Sequence, residues 1–290
     1  MRASSPLYAG LKIVVDAVVF RLRKLEMANL AAAGAIALAL HLDFLEITAR
    51  VAFAFVLNVL VYLNNDYIDV QIDLRASDKD SAKTRFLAAN MRAALGAQIV
   101  LTVILVAAAI AYDIGLLVPL LAGGGICIVY SAYLKQKPLL DVLSMVIWGL
   151  TMPLCGVPIA SVLGWCMAIQ LALFSGVFES IQTMRDADED AHDKNLRTTA
   201  VVLGKKKTLL LARAIMVINT AYAALVLQPI AALVTVGALV VPFDSKRIEQ
   251  YWTRVKMIYG IAWLVICAWV FLKSHGAGLL VTIDAAHKLW

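Results

Sequence analysis

An all-α polytopic membrane bundle of nine transmembrane helices, with its N-terminus cytoplasmic and its C-terminus outside, is the fold class predicted by three observations. First, of the 290 residues 62% are hydrophobic and 16% charged, well above the roughly 45–50% apolar content of soluble domains, and mean hydropathy is +0.83. Second, apolar runs that reach or approach the roughly 20 residues needed to cross a bilayer follow one another with short polar breaks. Third, 23 of the 26 Lys and Arg residues fall in alternate breaks, the asymmetry expected when cytoplasmic loops hold the positive charge.

Taken in order, residues 1–24 read as a cytoplasmic interfacial arm. The stretch "LYAGLKIVVDAVVFRLRKLE" is interrupted by Lys12 and Asp16 and ends in a basic cluster, which suits a helix lying at the membrane surface better than a cleavable signal. Residues 25–290 form one domain with spans near 25–45, 47–64, 92–112, 115–134, 139–158, 161–182, 207–223, 225–242 and 256–273. Basic residues occupy the N-terminal arm and the breaks after spans 2, 4, 6 and 8, whereas only Arg50, Lys273 and Lys288 fall on the other side. The boundary between spans 7 and 8 is the short break at Gln228-Pro229. A net charge of +6 therefore reports topology, and no basic patch interleaved with aromatics points to nucleic acid. Cys127, Cys155, Cys166 and Cys267 lie in apolar runs without CxxC spacing, so they read as small core residues and not as a disulfide or zinc framework.

Acidic residues are unevenly distributed. Ten of the 20 lie in two cytoplasmic segments: Asp66, Asp69, Asp73, Asp78 and Asp80 after span 2, and Asp186, Asp188, Glu189, Asp190 and Asp193 after span 6. Asp66, Asp69 and Asp73 at i, i+3 and i+7 share one face of a helix, with Asn65 beside them, and Asp186, Asp190 and Asp193 at i, i+4 and i+7 repeat the pattern. Like charges this close repel unless a cation intervenes. Carboxylate oxygens suit a hard divalent ion, Mg²⁺ first, which keeps waters and completes its shell with substrate phosphates. The nearby Arg75, Lys79, Lys83, Arg85, Lys135 and Arg197 favour a phosphate anion. Both signs together at the membrane face predict a metal-bridged di- or polyphosphate site whose organic tail lies in the bilayer. Acidic loops that only solvate a surface are common, yet two stripes on one side, each emerging from an apolar span, favour a site. An EF-hand is a poor match, because Gly at the sixth position and Glu at the twelfth are both missing.

These residues resemble the UbiA-type intramembrane prenyltransferases. The family's first signature, N-D-x-x-D-x-x-x-D, is matched by Asn65 to Asp73, and its second, D-x-x-x-D, by Asp186 to Asp190, followed by "LRTTAVVLG". The stretch "YSAYLKQKP" after span 4 places Tyr130 and Lys135 where the family carries a Tyr and a Lys near the diphosphate. The nine spans and the side on which both motifs lie agree with the family, so the resemblance covers nearly the whole chain. Two departures stand out: Thr84 to Asn90 replaces a stretch like N-R-P-L-x-x-G, and residues 130–142 lack the pattern of 4-hydroxybenzoate prenyltransferases. These lean away from 4-hydroxybenzoate and toward a specialised-metabolite acceptor such as a bicyclic aromatic.

The resemblance implies an Mg²⁺-dependent transfer of a polyprenyl group from its diphosphate, geranyl to geranylgeranyl or longer, to a small lipophilic aromatic acceptor, with diphosphate released. It implies metal ligation by Asp66, Asp69, Asp73, Asp186 and Asp190, and leaves open whether Asp188 or Asp193 joins them. Asn65 would add a neutral oxygen or an orienting hydrogen bond. Lys135 and Arg197, with Tyr130, Arg75 and Arg85, would hold the diphosphate, and aromatics such as Tyr62, Tyr67, Tyr130, Tyr133, Trp148 and Phe178 could shield an allylic cation. Glu179, seven residues before Asp186 on the same helical face, reads either as an acceptor-side base or polar anchor, or as an interfacial residue paired with a Lys. The expected setting is a bacterial inner membrane with the active site at the cytoplasmic face. Competing readings are a terpene cyclase on the same scaffold and a carrier with acidic cytoplasmic loops.

Overall fold

The computed structural model describes residues 5–23, 27–74, 81–192 and 196–274, and every regular element among them is helical. In chain order these are α1 (Pro6–Arg23), α2 (Ala28–Ala39), α3 (Phe44–Asp73), α4 (Ser81–Ala89), α5 (Met91–Tyr112), α6 (Gly125–Ala132), α7 (Leu140–Thr151), α8 (Val162–Asp190), α9 (Thr199–Leu203), α10 (Lys205–Tyr222), α11 (Pro229–Val240) and α12 (Ile248–Ser274). Short 3₁₀ or π segments lead into α6 over 114–124, continue α7 over 152–156 and continue α10 over 223–227. Six helical segments among the described residues are long and apolar enough to cross a bilayer, and Leu30–Ala39, Leu140–Gly156 and Pro229–Val240 are shorter apolar helices. The protein is an integral, multi-pass membrane protein.

The breaks follow local chemistry. Asp43 accepts a hydrogen bond from the Glu46 N–H at 2.8 Å and starts α3; Ser161 accepts from Gly164 N–H at 3.1 Å and starts α8. Both satisfy backbone donors that the first helical turn leaves unpaired. At Gln228-Pro229 the side chain of Gln228 accepts from Ala231 N–H at 2.9 Å and proline takes the first helical position, where its missing donor costs nothing. The first apolar run departs most from expectation. Its helix ends at Ala39, where His41 adopts φ +55°, and α2 rises only about 18 Å at 1.5 Å per residue.

Close helix contacts lock this arrangement. A Cβ on Gly156 would stand 2.0 Å from the Ala33 carbonyl oxygen, so only glycine lets α2 lie against the 152–156 segment. On Gly149 a Cβ would meet the Ser175 hydroxyl oxygen at 2.1 Å, which brings α7 tightly against α8. Small residues drive such approach in a membrane, where apolar surface alone gives no preference for protein over lipid. One apolar core gathers around α8 and α10–α12, a second around α3, α5 and α6. A smaller cluster, including Ile13, Leu63, Val70, Leu87 and Ala94, clamps α1, α4 and α5 onto the far end of α3.

Two helices exceed the rest in length. At 30 and 29 residues, α3 and α8 run about 45 Å, against a hydrocarbon core of about 30 Å. Asp66, Asp69 and Asp73, and likewise Asp186 and Asp190, therefore lie on helical continuations of membrane spans and not on loops.

Candidate functional site

The last three turns of α3 carry Asn65, Asp66, Asp69 and Asp73, and the last turn of α8 carries Asp186 and Asp190. Neither helix has a basic residue in its final turn. Carboxylates and the negative end of the helix dipole therefore coincide twice, which is unfavourable unless positive charge arrives from elsewhere.

On α3 that charge comes from three other elements. Asp66, 5% exposed, accepts from Arg21 of α1 at 2.7 Å through Oδ1 and from Lys83 of α4 at 2.6 Å through Oδ2. Arg21 also lies over the Tyr62 ring at 4.4 Å, and Lys83 over Phe20 at 4.2 Å. Asp69, equally buried, accepts from Lys135 Nζ at 2.9 Å. Asp73 closes the helix, half-buried.

On α8 the partners are local. Arg185 Nε and Nη2 donate to the two oxygens of its neighbour Asp186 at 2.6 and 3.0 Å, and the same guanidinium stacks over Trp252 of α12 at 4.7 Å. Asp190 Oδ2 accepts from the Thr198 hydroxyl at 3.2 Å. Asp188, exposed, takes Lys205 at 2.7 Å.

A single stretch joins the two helices. At the end of α6, Tyr130 donates its hydroxyl to Glu179 Oε1 of α8 at 3.2 Å, and the adjacent Ser131 donates to Asn65 Oδ1 of α3 at 2.9 Å. Four residues on, in a 3₁₀ turn, stands Lys135. Glu179 is buried two turns below Asp186, with the Tyr130 hydroxyl as its hydrogen-bond donor.

The structure thus links Asn65, Asp69 and Glu179 through Tyr130, Ser131 and Lys135, ties the adjacent Asp66 to Arg21 and Lys83, and sets Asp186 and Asp190 at the end of α8. Arg197 is exposed and forms no ion pair among the described residues; Arg85 lies exposed on α4. Arg75, Asp78, Asp80 and Asp193 lie outside the described residues. Sequence reasoning missed Arg21 and set Lys83 toward a phosphate, whereas both reach Asp66; nothing in the spacing of α1 or α4 announces which carboxylate they meet.

Carboxylates with one neutral amide oxygen are the donor set of a hard divalent cation such as Mg²⁺. Among the described residues no three His, Cys, Asp or Glu side chains form a ready cage. The acidic groups are divided between two helix ends, an arrangement that fits an ion sharing its shell with phosphate oxygens and water.

A model described as the UbiA prenyltransferase family matches residues 27–276. None of the curated proteins matches the chain. Among solved structures, the chain is similar to a UbiA homolog from Archaeoglobus fulgidus bound to DMAPP and Mg²⁺, at 16% identity over 92% of this chain and 93% of that one, with TM-score 0.58. A structure of the A. fulgidus homolog with GPP and Mg²⁺ matches at 15% identity over 91% and 92%, with TM-score 0.57. A structure of digeranylgeranylglyceryl phosphate synthase in membranes matches at 15% identity over 91% and 99%, with TM-score 0.70. At these identities the likeness to the solved structures is one of fold.

Proposed function

Because the chain belongs to the UbiA prenyltransferase family, we propose that it transfers a polyprenyl group from its diphosphate to a small lipophilic aromatic acceptor, with Mg²⁺ as cofactor. The observation that carries the reading is that Ser131 and Lys135 bind the acidic end of α3 while the adjacent Tyr130 binds Glu179 of α8, two turns before Asp186. Bases and carboxylates meet at the mouth of an apolar bundle, which suits a ligand with a charged head and a greasy tail.

Asp66, Asp69 and Asp73 from α3 and Asp186 and Asp190 from α8 would hold the metal, with Asn65, oriented by Ser131, as a neutral oxygen. When bound, Mg²⁺ neutralises charge that builds on the departing diphosphate. Lys135 would move between Asp69 and a phosphate oxygen, and Arg197, Arg75 and Arg85 would supply further positive charge from the surrounding connections. The donor's C–O bond breaks with its electron pair leaving on diphosphate; an acceptor carbon bonds to the allylic carbon and loses a proton. Glu179, buried beside Tyr130, would take that proton or anchor the acceptor. Apolar helices would keep water from the cation, and Tyr130 is the aromatic hydrogen-bonded to Glu179.

Nine membrane crossings with a cytoplasmic N-terminus are supported by the order of the nine apolar helical segments and by the alternation of basic residues. In this reading the site opens at the cytoplasmic face of a bacterial inner membrane. An interfacial role for α1 is supported by its outward row of Leu7, Leu11, Val15, Val19 and Leu22, opposite the buried Ala9, Ile13 and Ala17.

The test incubates membranes holding the protein with geranyl, farnesyl and geranylgeranyl diphosphates against a panel of phenols, quinones and fused aromatics, with products identified by mass. The expected result is a prenylated acceptor that requires Mg²⁺. Diphosphate release yielding a cyclic hydrocarbon without any acceptor would turn the reading to a cyclase, and flux across vesicles with no Mg²⁺-dependent product would turn it to a carrier.

A further inference from the structure

We propose that Asp141 is a positioning residue for the metal and diphosphate site, acting through Thr199; the inference rests on the functional reading above. Asp141 belongs to neither acidic motif. It lies in the first turn of α7, 1% exposed, and no Lys or Arg pairs with it among the described residues. Its charge is met by neutral donors instead. Oδ2 accepts from the Thr199 backbone N–H at 2.6 Å, and Oδ1 accepts from the Thr199 hydroxyl and from Val142 N–H at 2.8 Å. One carboxylate thus serves the first turns of both α7 and α9, where unpaired N–H groups and the positive dipole end favour an anion.

Thr199 completes a knot. Its hydroxyl, while donating to Asp141, accepts from Leu139 N–H at 2.7 Å. Leu139 has φ +68°, a left-handed backbone that leucine keeps only where its surroundings dictate it. Two connections to the site meet here. Four residues before Leu139 stands Lys135 on Asp69, and immediately before Thr199 stands Thr198 on Asp190. Asp141 therefore holds in register the chain segments that touch both acidic helices, without touching metal or diphosphate itself.

The experiment measures binding of geranylgeranyl diphosphate to the full-length protein in lipid nanodiscs as a function of Mg²⁺, alongside thermal unfolding. Partners that orient metal ligands typically change metal affinity by about 10–100-fold when removed. Asp141→Ala is expected to raise the half-saturating Mg²⁺ concentration by a factor in that range, and Thr199→Val by less. Thr199→Ser, which keeps the hydroxyl and the backbone donor, is expected to match wild type. Combining Asp141→Ala with Thr199→Val should be no worse than Asp141→Ala alone, because both break one unit. A folded Asp141→Ala protein with wild-type Mg²⁺ dependence overturns the proposal; if that variant fails to fold, Thr199→Val decides on the same criterion. Absence of Mg²⁺-dependent binding by the wild-type protein would overturn the functional reading itself, a separate outcome.

Discussion

The two acidic helix ends are neutralised in different ways. On α3 the carboxylates of Asp66 and Asp69 are buried, and their bases arrive from distant positions, Arg21, Lys83 and Lys135, lying 45, 17 and 66 residues away. On α8 the carboxylate of Asp186 is about a third exposed and paired with the adjacent Arg185, while Asp190 leans on Thr198 eight residues later. The first end is built by the whole fold, the second by its immediate surroundings. A carboxylate held by distant bases is also a structural tie; one held by its neighbour can be changed without disturbing the bundle. The same chemistry can therefore rest on supports of unequal cost.

Substitution should separate the two. The largest effect common to both ends is on chemistry: Asp69→Ala and Asp190→Ala should each lower Mg²⁺-dependent product formation by at least about 10²–10³-fold, measured in membranes at equal protein level. Stability should then divide them. Asp66→Ala removes a carboxylate, its side chain 6% exposed, that ties α1 and α4 to α3, and breaking a buried pair costs about 3–5 kcal/mol. Asp186→Ala removes a partly exposed pair worth about 0–1 kcal/mol. Thermal unfolding in detergent should accordingly show a large drop for Asp66→Ala and a small one for Asp186→Ala, although both lose activity; equal drops would erase the distinction.

Lys135→Ala sharpens the comparison from the side of the bridge. It should weaken donor binding and slow product formation by about 10²-fold, with the loss visible in KM for the diphosphate as well as in kcat. Ser131→Ala should do least. It removes one hydrogen bond to Asn65, worth about 1 kcal/mol, and should cost several-fold in activity with little change in unfolding temperature.

The contrast also explains which parts of the site are legible in the sequence. The stripe at Asp66, Asp69 and Asp73 and its counterpart at Asp186 and Asp190 follow from helical periodicity, which is local, and the break at Gln228-Pro229 follows from capping chemistry carried by two adjacent residues. Pairing across the fold is not local. Arg21 reaches Asp66 because the Ile13 and Leu63 cluster seats α1 against α3, and no spacing within either helix encodes that docking. Asp141 stays hidden for a related reason: a lone acid beside an apolar run takes its meaning from Thr199, 58 residues away. The early end of α2 is local instead: His41 takes φ +55°, and the His41 and Leu42 N–H groups donate to the Leu38 and Ala37 carbonyls, a left-handed cap that glycine usually marks and histidine here conceals.

The central claim is that two helix ends of unlike construction form one metal and diphosphate site. Its most direct measurement is the Mg²⁺ dependence of geranylgeranyl diphosphate binding to wild type, Asp69→Ala, Asp190→Ala and the double variant. A single shared site predicts that either substitution removes most binding and that the double variant is scarcely worse than each alone. Losses that multiply independently, or a single variant that binds the diphosphate with wild-type Mg²⁺ dependence, would contradict it.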